Sequence, residues 1–229
     1  DAKTRNVNGC ITHGLRDIIS CVDGVKVLLP LVLALNQPVR PDVVPPVGDA
    51  ELLTDIIELV HRIATGSRAA EEEMVRSHGY AILSYLLKRI PSRCFGASIV
   101  KLLDSMYRSH VQNRQLQERL FNDVIADFLL WIYTPAEVQR AVLALLREYH
   151  RASQRVMSVQ SALTTLRLFY WQACKNTWCM CSQPLIHPVT KETLGTRPEE
   201  PAVEEMRMML LDIARLRLEM GVTPEDSRA

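Results

Sequence analysis

The 229 residues are 48% apolar and 23% charged, and 27 lysines and arginines against 26 aspartates and glutamates leave a net charge of +1. This balance argues against general nucleic-acid binding, which needs a concentrated basic surface to displace counterions from phosphates. Only 6% of the residues are aromatic and nine are glycine. β-Sandwiches and β-barrels need many turns and strand-forming residues, so the composition favours an all-α fold.

No segment of the sequence predicts a membrane span. The most apolar run covers residues 27–35 and contains Pro30, whereas a spanning helix needs about 20 apolar residues. The amino terminus has neither an initiating methionine nor an apolar signal core, so we interpret residues 1–229 as one domain of a larger multidomain protein. The six cysteines are scattered along the chain, which is typical of a reduced, cytoplasmic protein.

The first part of the chain alternates short helices and turns. Aliphatic residues at spacings of three and four predict a helix that ends near Gly24, and an apolar helix over residues 25–35 follows at once. This second helix is apolar nearly all round, as in a helix covered on several sides. Four prolines between residues 36 and 48 then predict an extended loop. Further helices are predicted over residues 49–64, 69–78, 80–90 and 97–110, with Gly79 ending the second of these.

The second part begins with residues 113–133, which predict one long helix or a bent pair. Thr134 is placed to cap the following helix, and Pro135 to occupy its first position. Beyond it, the sequence predicts a helix over residues 158–171, an irregular insertion over 172–201 and a terminal helix over 202–220. The apolar face of the terminal helix suits either packing on this domain or leading into another one.

The predicted helices recur at a regular interval. Aligning the turn before Gly24 with the turn before Gly79 gives an offset of 55 residues, which falls to about 42 if the proline-rich loop is an insertion. A further step of 43 residues places Ile82 on Ile125. Units of about 40–47 residues with two or three helices are typical of armadillo and HEAT arrays. The sequence therefore predicts an armadillo/HEAT-like helical solenoid, with a plain helical bundle as the alternative.

A resemblance to a known family points the same way. Residues 14–35, GLRDIISCVDGVKVLLPLVLAL, resemble the opening of the armadillo-like region of neurobeachin and the neurobeachin-like BEACH-domain proteins. Residues 131–143, WIYTPAEVQRAVL, fit the same region less specifically. Asp23 stands where a glycine is expected, and Leu29 where a phenylalanine is common. The resemblance implies a non-catalytic piece of a very large cytosolic scaffold of vesicle traffic and of granule or receptor sorting.

Sequence motifs for catalysis are missing. The chain has no phosphate-binding loop, dinucleotide-binding glycine fingerprint, nucleophile elbow or HExxH motif. His61 and His78 lie on separate predicted helices with no acid or nucleophile at a useful spacing, which favours surface or capping roles. We expect no enzyme activity, no cofactor and no small-molecule substrate.

Four potential zinc ligands lie close together in the sequence: Cys174, Cys179, Cys181 and His187. Structural zinc sites usually take their ligands in pairs two to four residues apart. Here Cys179 and Cys181 are separated by a single residue and no second pair stands elsewhere. Reduced thiols are therefore the favoured interpretation, and metal binding is the alternative.

Four arginines have a spacing that would place them on one face of a continuous helix: Arg140, Arg147, Arg151 and Arg155. We call this set the arginine stripe. It could meet anionic lipid head groups or an acidic partner. Solvated helix faces of soluble proteins are also rich in arginine, so a role in membrane recruitment is the alternative hypothesis rather than the leading one.

The helix predicted over residues 51–64 carries paired aliphatic residues. Helices that dock into a partner's groove, such as kinase-anchoring helices, show similar pairs. An inner helix of a solenoid buries the same kind of stripe, and this helix lies between other apolar helices. We therefore interpret it as part of the core.

The candidate protein contact is a group of aromatic residues near the C-terminal end: Phe169, Tyr170, Trp171 and Trp178. Aromatic side chains often anchor the centres of interfaces, although packing of the 172–201 insertion over the helices would explain them equally well. The function predicted from the sequence is a docking surface for an unidentified protein partner. Peripheral contact with endomembranes through the arginine stripe is the alternative, and nucleic-acid binding is disfavoured.

Overall fold

The computed structural model of the chain describes most of residues 24–152 and part of the C-terminal segment. The described ranges are 24–36, 48–65, 67–131, 133–152, 185–186, 189–191 and 193–194, together with residues 205, 208, 209, 211–213, 215, 216 and 219. The sequence predictions for residues 1–23, for most of the proline-rich loop and for the helix over 158–171 lie outside these ranges.

Seven α-helices lie between residues 48 and 152: α1 (Asp49–Ala64), α2 (Arg68–Arg76), α3 (Gly79–Leu87), α4 (Ala97–Ser109), α5 (Arg114–Leu120), α6 (Phe128–Trp131) and α7 (Ala136–Ala152). Short 3-10 helices cover Gly24–Val27, Leu29–Leu35, Ser92–Cys94 and His110–Gln112, and a π-helical turn covers Phe121–Ile125. None of the helices in these ranges is long and apolar enough to cross a membrane.

The helices stack in three columns, each of which takes one element from every successive unit. In the first column α4 packs between α1 and α7. In the second, α2 packs between the 3-10 helix Gly24–Val27 and α5. In the third, α3 packs between the 3-10 helix Leu29–Leu35 and the π-helical turn Phe121–Ile125, which α6 continues. Stacking of this kind, in which each unit contacts its neighbours along the chain, defines a helical solenoid.

One continuous hydrophobic core joins the units, from Val25 near the start of the described residues to Tyr149 in α7. In α1 the buried residues recur at spacings of three and four: Leu53, Ile57, Val60, Ile63 and Ala64. This is the period of a helix with one face in a core. The interpretation of the 51–64 helix as a core helix is therefore confirmed.

Side-chain hydrogen bonds between units reproduce the predicted repeat length. Ser84 of α3 donates to Asp127, 43 residues later, over 2.7 Å. Arg93 donates to Asp49, 44 residues earlier, over 3.1 Å. Asn113 donates to Glu71, 42 residues earlier, over 2.8 Å. Each bond connects residues of neighbouring units about one repeat apart, so polar contacts join the units as well as apolar packing.

Asp104 of α4 also connects neighbouring units through polar contacts. One of its oxygens accepts a 2.6 Å hydrogen bond from the Tyr149 hydroxyl of α7 and a 2.8 Å bond from Arg108. Arg108 also donates to Glu148 of α7 over 3.0 Å. Burial and the Asp104 carboxylate raise the pKa of the Tyr149 hydroxyl well above its usual value, so the tyrosine keeps the proton that it donates.

We expect Asp104→Ala to lower the free energy of unfolding by about 1.5 kcal/mol, because a part-buried charged acceptor shared by two donors is lost. Urea denaturation followed by circular dichroism measures this change. The matched control is Glu118→Ala, which removes an exposed ion pair to Arg114 within α5 and should cost about 0.3 kcal/mol. Equal losses in the two variants would contradict a role for Asp104 between units.

The 25–35 segment differs from its prediction. It forms two 3-10 helices instead of one α-helix, and buries Val25, Leu29, Val32 and Leu35. Leu31 on the other side is 44% exposed. Because a 3-10 helix has three residues per turn, spacings of three keep one face on the core and leave the opposite face uncovered. The expectation of cover on several sides was wrong.

The turn between α2 and α3 also differs. His78 lies in the left-handed region with φ 54°, and Gly79 is the first residue of α3 instead of the end of the preceding helix. A Cβ atom on Gly79 would lie 2.5 Å from the Sδ atom of buried Met74. Glycine is therefore required here by the close approach of α2 and α3, and not by helix termination.

The predicted cap at Thr134 is corrected by the structure. The buried Thr134 hydroxyl donates a 2.7 Å hydrogen bond back to the carbonyl of Trp131, and Gln139 donates to the carbonyl of Thr134. The threonine thereby closes the end of α6. Pro135 directly precedes α7, which begins at Ala136. The 113–133 region forms the bent alternative, because the π-helical turn interrupts it between α5 and α6.

The C-terminal part contains two described features. Within the insertion predicted to be irregular, strands β1 (Leu185–Ile186) and β2 (Thr193–Leu194) pair antiparallel, and Lys191 between them adopts a positive φ of 57°. The described residues from 205 to 219 are helical, as predicted. Met209 and Ile213 of this terminal helix are buried in the common core, so the terminal helix packs on this domain.

Candidate docking surface

The predicted aromatic contact and the predicted metal ligands lie outside the described residues. This applies to Phe169, Tyr170, Trp171 and Trp178, and equally to Cys174, Cys179, Cys181 and His187. Both therefore stay predictions. Within the described residues, no group of three or more histidine, cysteine, aspartate or glutamate side chains is arranged to hold a metal ion.

The structure places three of the four residues of the arginine stripe. Arg140 lies 2.8 Å from Glu205, and Arg147 lies 3.6 Å from Asp212, both acidic partners on the terminal helix. Arg151 is exposed at the end of α7, and Arg155 is outside the described residues. The two ion pairs lower the positive potential that this side of α7 presents to a membrane. The role of the arginine stripe as a contact for anionic groups stays a prediction.

Two histidines meet inside the solenoid, which the sequence did not predict. The rings of His61 in α1 and His110 after α4 contact edge to face with centroids 5.2 Å apart. His110 is 2% exposed, and its Nε2 atom is 2.7 Å from the Tyr80 hydroxyl of α3. His61 is 3.3 Å from the Ser109 hydroxyl. We call these four side chains the histidine cluster. His61 is therefore packed between units, whereas His78 is exposed at its turn.

Burial controls the protonation of the histidine cluster. Burial and, to a smaller extent, the neighbouring His61 lower the pKa of His110 to about 4. Burial also lowers the pKa of His61, against an opposing effect of Glu58. The Tyr80 pKa is raised by burial and by Glu71. All three groups are therefore neutral near pH 7, and the cluster is a packed polar contact between the first and third columns.

The exposed apolar residues of the third column form the surface that sequence reasoning missed. They come from successive units, with exposed fractions between 38% and 54%: Leu31, Ile82, Tyr85 and Leu129. We call them the outer row. Ile82 and Tyr85 are three residues apart on α3 and share one face. Leu129 follows Asp127, which bonds to Ser84 of the same helix. The row therefore crosses neighbouring helices instead of running along one.

An exposed cation stands beside the outer row. The guanidinium carbon of Arg89 lies 4.4 Å from the centroid of the Tyr85 ring, and Arg89 also donates to the Tyr85 hydroxyl. Lys88 pairs with Asp127, which neutralises both. A cation over an aromatic face is attracted to the ring. Tyr85 is thus an exposed aromatic side chain that carries a cation on one face.

The outer row could not be separated from the core by sequence, because α3 is apolar on nearly every side. Its sequence GYAILSYLL gives no polar stripe that would mark the solvent side. The signal that could have been used is Tyr85. A tyrosine four residues before an arginine can present both its ring and its hydroxyl to the cation on a helix surface.

Comparison with known proteins agrees with the solenoid. A family model described as the neurobeachin/BDCP, DUF4704 alpha solenoid region matches residues 2–229. The chain belongs to this family. The resemblance of residues 14–35 and 131–143 to neurobeachin-like proteins is therefore confirmed, as is the prediction of an all-α solenoid over a plain bundle.

Two curated relatives carry BEACH or neurobeachin in their names. BEACH domain-containing protein B of Arabidopsis thaliana is 22% identical over 232 residues, which cover 96% of this chain and 9% of the relative. A putative neurobeachin homolog of Caenorhabditis elegans is 22% identical over 205 residues, which cover 85% of this chain and 8% of the relative. The chain thus spans less than a tenth of the length of these relatives. No solved structure matches it.

Proposed function

We propose that this chain is a non-catalytic scaffold segment that docks a protein partner within a large BEACH-type protein of vesicle traffic or of granule or receptor sorting, acting at the cytoplasmic side of membranes. Membership of the neurobeachin alpha solenoid family supports the scaffold role. The printed names of the relatives support the BEACH-type context. The exposed apolar residues of the third column support the docking role.

The observation that carries the docking role is the outer row. Isolated exposed apolar residues are ordinary, but apolar residues that line up across successive units mark interaction sites on soluble proteins. The exposed residues of α3 are Ala81, Ile82 and Tyr85. None of them carries a charge. A solenoid offers such a surface without needing a deep pocket, because its stacked helices present an extended face.

The interior polar groups support a non-catalytic role. Burial lowers the pKa values of both histidines in the histidine cluster. Groups with perturbed pKa values are candidates for catalysis. However, His110 is enclosed by α3 and α1 and its ring nitrogen is used by Tyr80. His110 is 2% exposed, so its imidazole is not presented at the surface. The cluster therefore serves packing.

Affinity capture tests the docking role. The chain is immobilised, and proteins retained from cytosol are quantified for wild type, Tyr85→Ala and Trp171→Ala. We expect Tyr85→Ala to reduce specific retention at least about tenfold, because truncating a central aromatic anchor costs upwards of about 1.4 kcal/mol. Trp171→Ala tests the aromatic contact predicted from the sequence in the same assay.

The matched control is Val111→Ala, which truncates a residue that is 70% exposed but belongs to the 3-10 helix after α4 and not to the third column. Retention should be unchanged in this variant. If Tyr85→Ala and Val111→Ala retain the same proteins in the same amounts, the outer row has no docking role. If no variant and no wild type retains any protein, the segment is an inert spacer.

A further inference from the structure

The charge beside the outer row bears on the kind of partner. We propose that the outer row binds an amphipathic helix whose apolar residues are flanked by carboxylates, one of which pairs with Arg89. This inference rests on the proposed docking function and adds the chemistry of the occupant. The structural grounds are the direction of the row, the exposed charge beside it and the contact of that charge with Tyr85.

The direction of the row sets the length of the occupant. Neighbouring helices pack about 8–10 Å apart, so a row that crosses three elements of the third column extends over about 20 Å. An α-helix of about 14 residues has that length, since each residue adds 1.5 Å. On one face of such a helix, a pair of anchors at i and i+3 or i+4 is followed by the next pair starting at i+7, about 10 Å further along. One anchor pair therefore meets each unit of the solenoid.

The charge of the third column selects an acidic occupant. Among the described residues of 29–36, 79–90 and 121–131, Arg89 is the one charged side chain that is exposed. Lys88 is half-buried and paired with Asp127. The carboxylates of Asp123 and Asp127 are half-buried. Among the described residues the row thus combines apolar contacts with one exposed cation, and an apolar face flanked by a carboxylate is the complement to both.

Arg89 is prepared for a carboxylate. Its guanidinium lies over the Tyr85 ring and therefore beside the apolar side chains of the row. A planar guanidinium can bind both oxygens of a carboxylate at once. An anionic membrane is a poorer match, because surface binding to lipid needs several basic residues near one another, and the row has one.

The test uses two synthetic helical peptides as probes. The acidic probe has about 15 residues, leucines at i, i+3, i+7, i+10 and i+14 and glutamates on both sides of the leucine face. The basic probe has lysines in place of the glutamates. Binding to the full chain is measured by fluorescence anisotropy. We expect the acidic probe to bind at least about tenfold more tightly, and Tyr85→Ala to abolish the binding of both, whereas Val111→Ala leaves both unchanged.

Charge reversal makes the test decisive. In Arg89→Glu the preference should invert, so that the basic probe binds more tightly than the acidic one. Far-UV circular dichroism of each variant shows that the fold is intact, since Arg89 is exposed. Equal binding of the two probes to wild type, or no inversion in Arg89→Glu, would overturn the inference.

Other occupants have their own signatures. Anionic vesicles that bind wild type and lose binding in Arg89→Glu would show that the row meets a lipid surface. A dimer in analytical ultracentrifugation that Tyr85→Ala dissociates would show that a second copy covers the row. Either result overturns the acidic helix. Capture of proteins that depends on Tyr85 but shows no charge preference would leave the docking function standing and refute this inference alone.

Discussion

Trp131→Ala is expected to lower the free energy of unfolding by about 4 kcal/mol, the largest effect of any single substitution considered for this chain. Trp131 is 1% exposed at the end of α6. Its ring packs edge to face on Phe95 with centroids 6.2 Å apart. Removing a buried indole leaves a cavity as well as losing apolar burial, and such changes cost about 3–5 kcal/mol.

Part of this expected loss is polar. The Nε1 atom of Trp131 donates to the carbonyls of Val124 and Ile125, over 3.0 Å and 3.1 Å. These carbonyls lie at the end of the π-helical turn, where the α-helical pattern of hydrogen bonds is interrupted. Without the indole they are left buried with one donor fewer, which adds to the cost.

Urea denaturation followed by far-UV circular dichroism measures the effect, because fluorescence would change with the removed tryptophan. Trp131→Phe is the matched control. It keeps an aromatic ring against Phe95 but loses the indole N–H, so we expect about half of the loss seen in Trp131→Ala. A loss below about 1 kcal/mol in Trp131→Ala would contradict the buried position of this side chain.

Acid should destabilise the chain through the histidine cluster, by about 2 kcal/mol between pH 6.5 and pH 4. The pKa of His110 falls from 6.5 to about 4 on folding, because burial and then the neighbouring His61 disfavour the charged ring. Between these two values the unfolded chain binds a proton that the folded chain does not. Stability is therefore full above pH 6.5 and is lost as the pH falls towards 4.

The groups around His110 set the direction of this effect. Burial outweighs Glu58, which raises the pKa of His61, so both rings resist protonation. Glu71 lies near Tyr80 and holds Asn113 by a hydrogen bond, and it stays outside the cluster. A second proton on the His61 and His110 pair would add repulsion between rings in contact. Acid thus opposes the packing of α1 against the unit that follows it.

The measurement is the free energy of unfolding at several pH values for wild type and His110→Gln. The variant lacks the titrating group, so its stability should change less over this range by about 2 kcal/mol. His78→Asn is the control, because it removes an exposed histidine and asparagine tolerates the left-handed backbone at that turn. Identical pH dependence in wild type and His110→Gln would show that His110 is not buried as described.

The period of the solenoid could be predicted from sequence, because the apolar face of each unit must meet the next at a fixed interval. The step of 43 residues that aligned Ile82 with Ile125 reappears in the bond from Ser84 to Asp127. The predicted alignment of the turn before Gly24 with the turn before Gly79 agrees less well with the structure. The 3-10 helix Gly24–Val27 packs on α2, whereas α3 packs on Leu29–Leu35, so the turn at Leu28 corresponds to the turn before Gly79.

Contacts between distant side chains could not be predicted in the same way. The pairing of His61 with His110 depends on where two units meet, and nothing in either local sequence marks it. The use of Thr134 to close α6 instead of capping α7 depends on the Trp131 carbonyl being free to accept. Local propensity favoured the cap, and tertiary packing decided otherwise.

The docking surface shows the same limit. Leu52 and Leu53 are adjacent in α1, yet Leu53 is fully buried and Leu52 is 49% exposed. A sequence that is apolar on both sides of a helix predicts burial for both. In α3 the same ambiguity hid Ile82 and Tyr85, which lie on the solvent side of the third column. Only the packing of neighbouring columns distinguishes a core residue from an outer-row residue.

Methyl NMR with the acidic probe tests the central claim most directly, because it maps the partner onto the chain residue by residue. We expect the methyl signals of the outer-row residues Leu31, Ile82 and Leu129 to shift when the probe binds. The methyl signals of Val111 and Met208, exposed residues outside the third column, should not move. Shifts confined to Met208 and Leu211 on the terminal helix, or spread evenly over all exposed methyl groups, would contradict a docking surface on the third column.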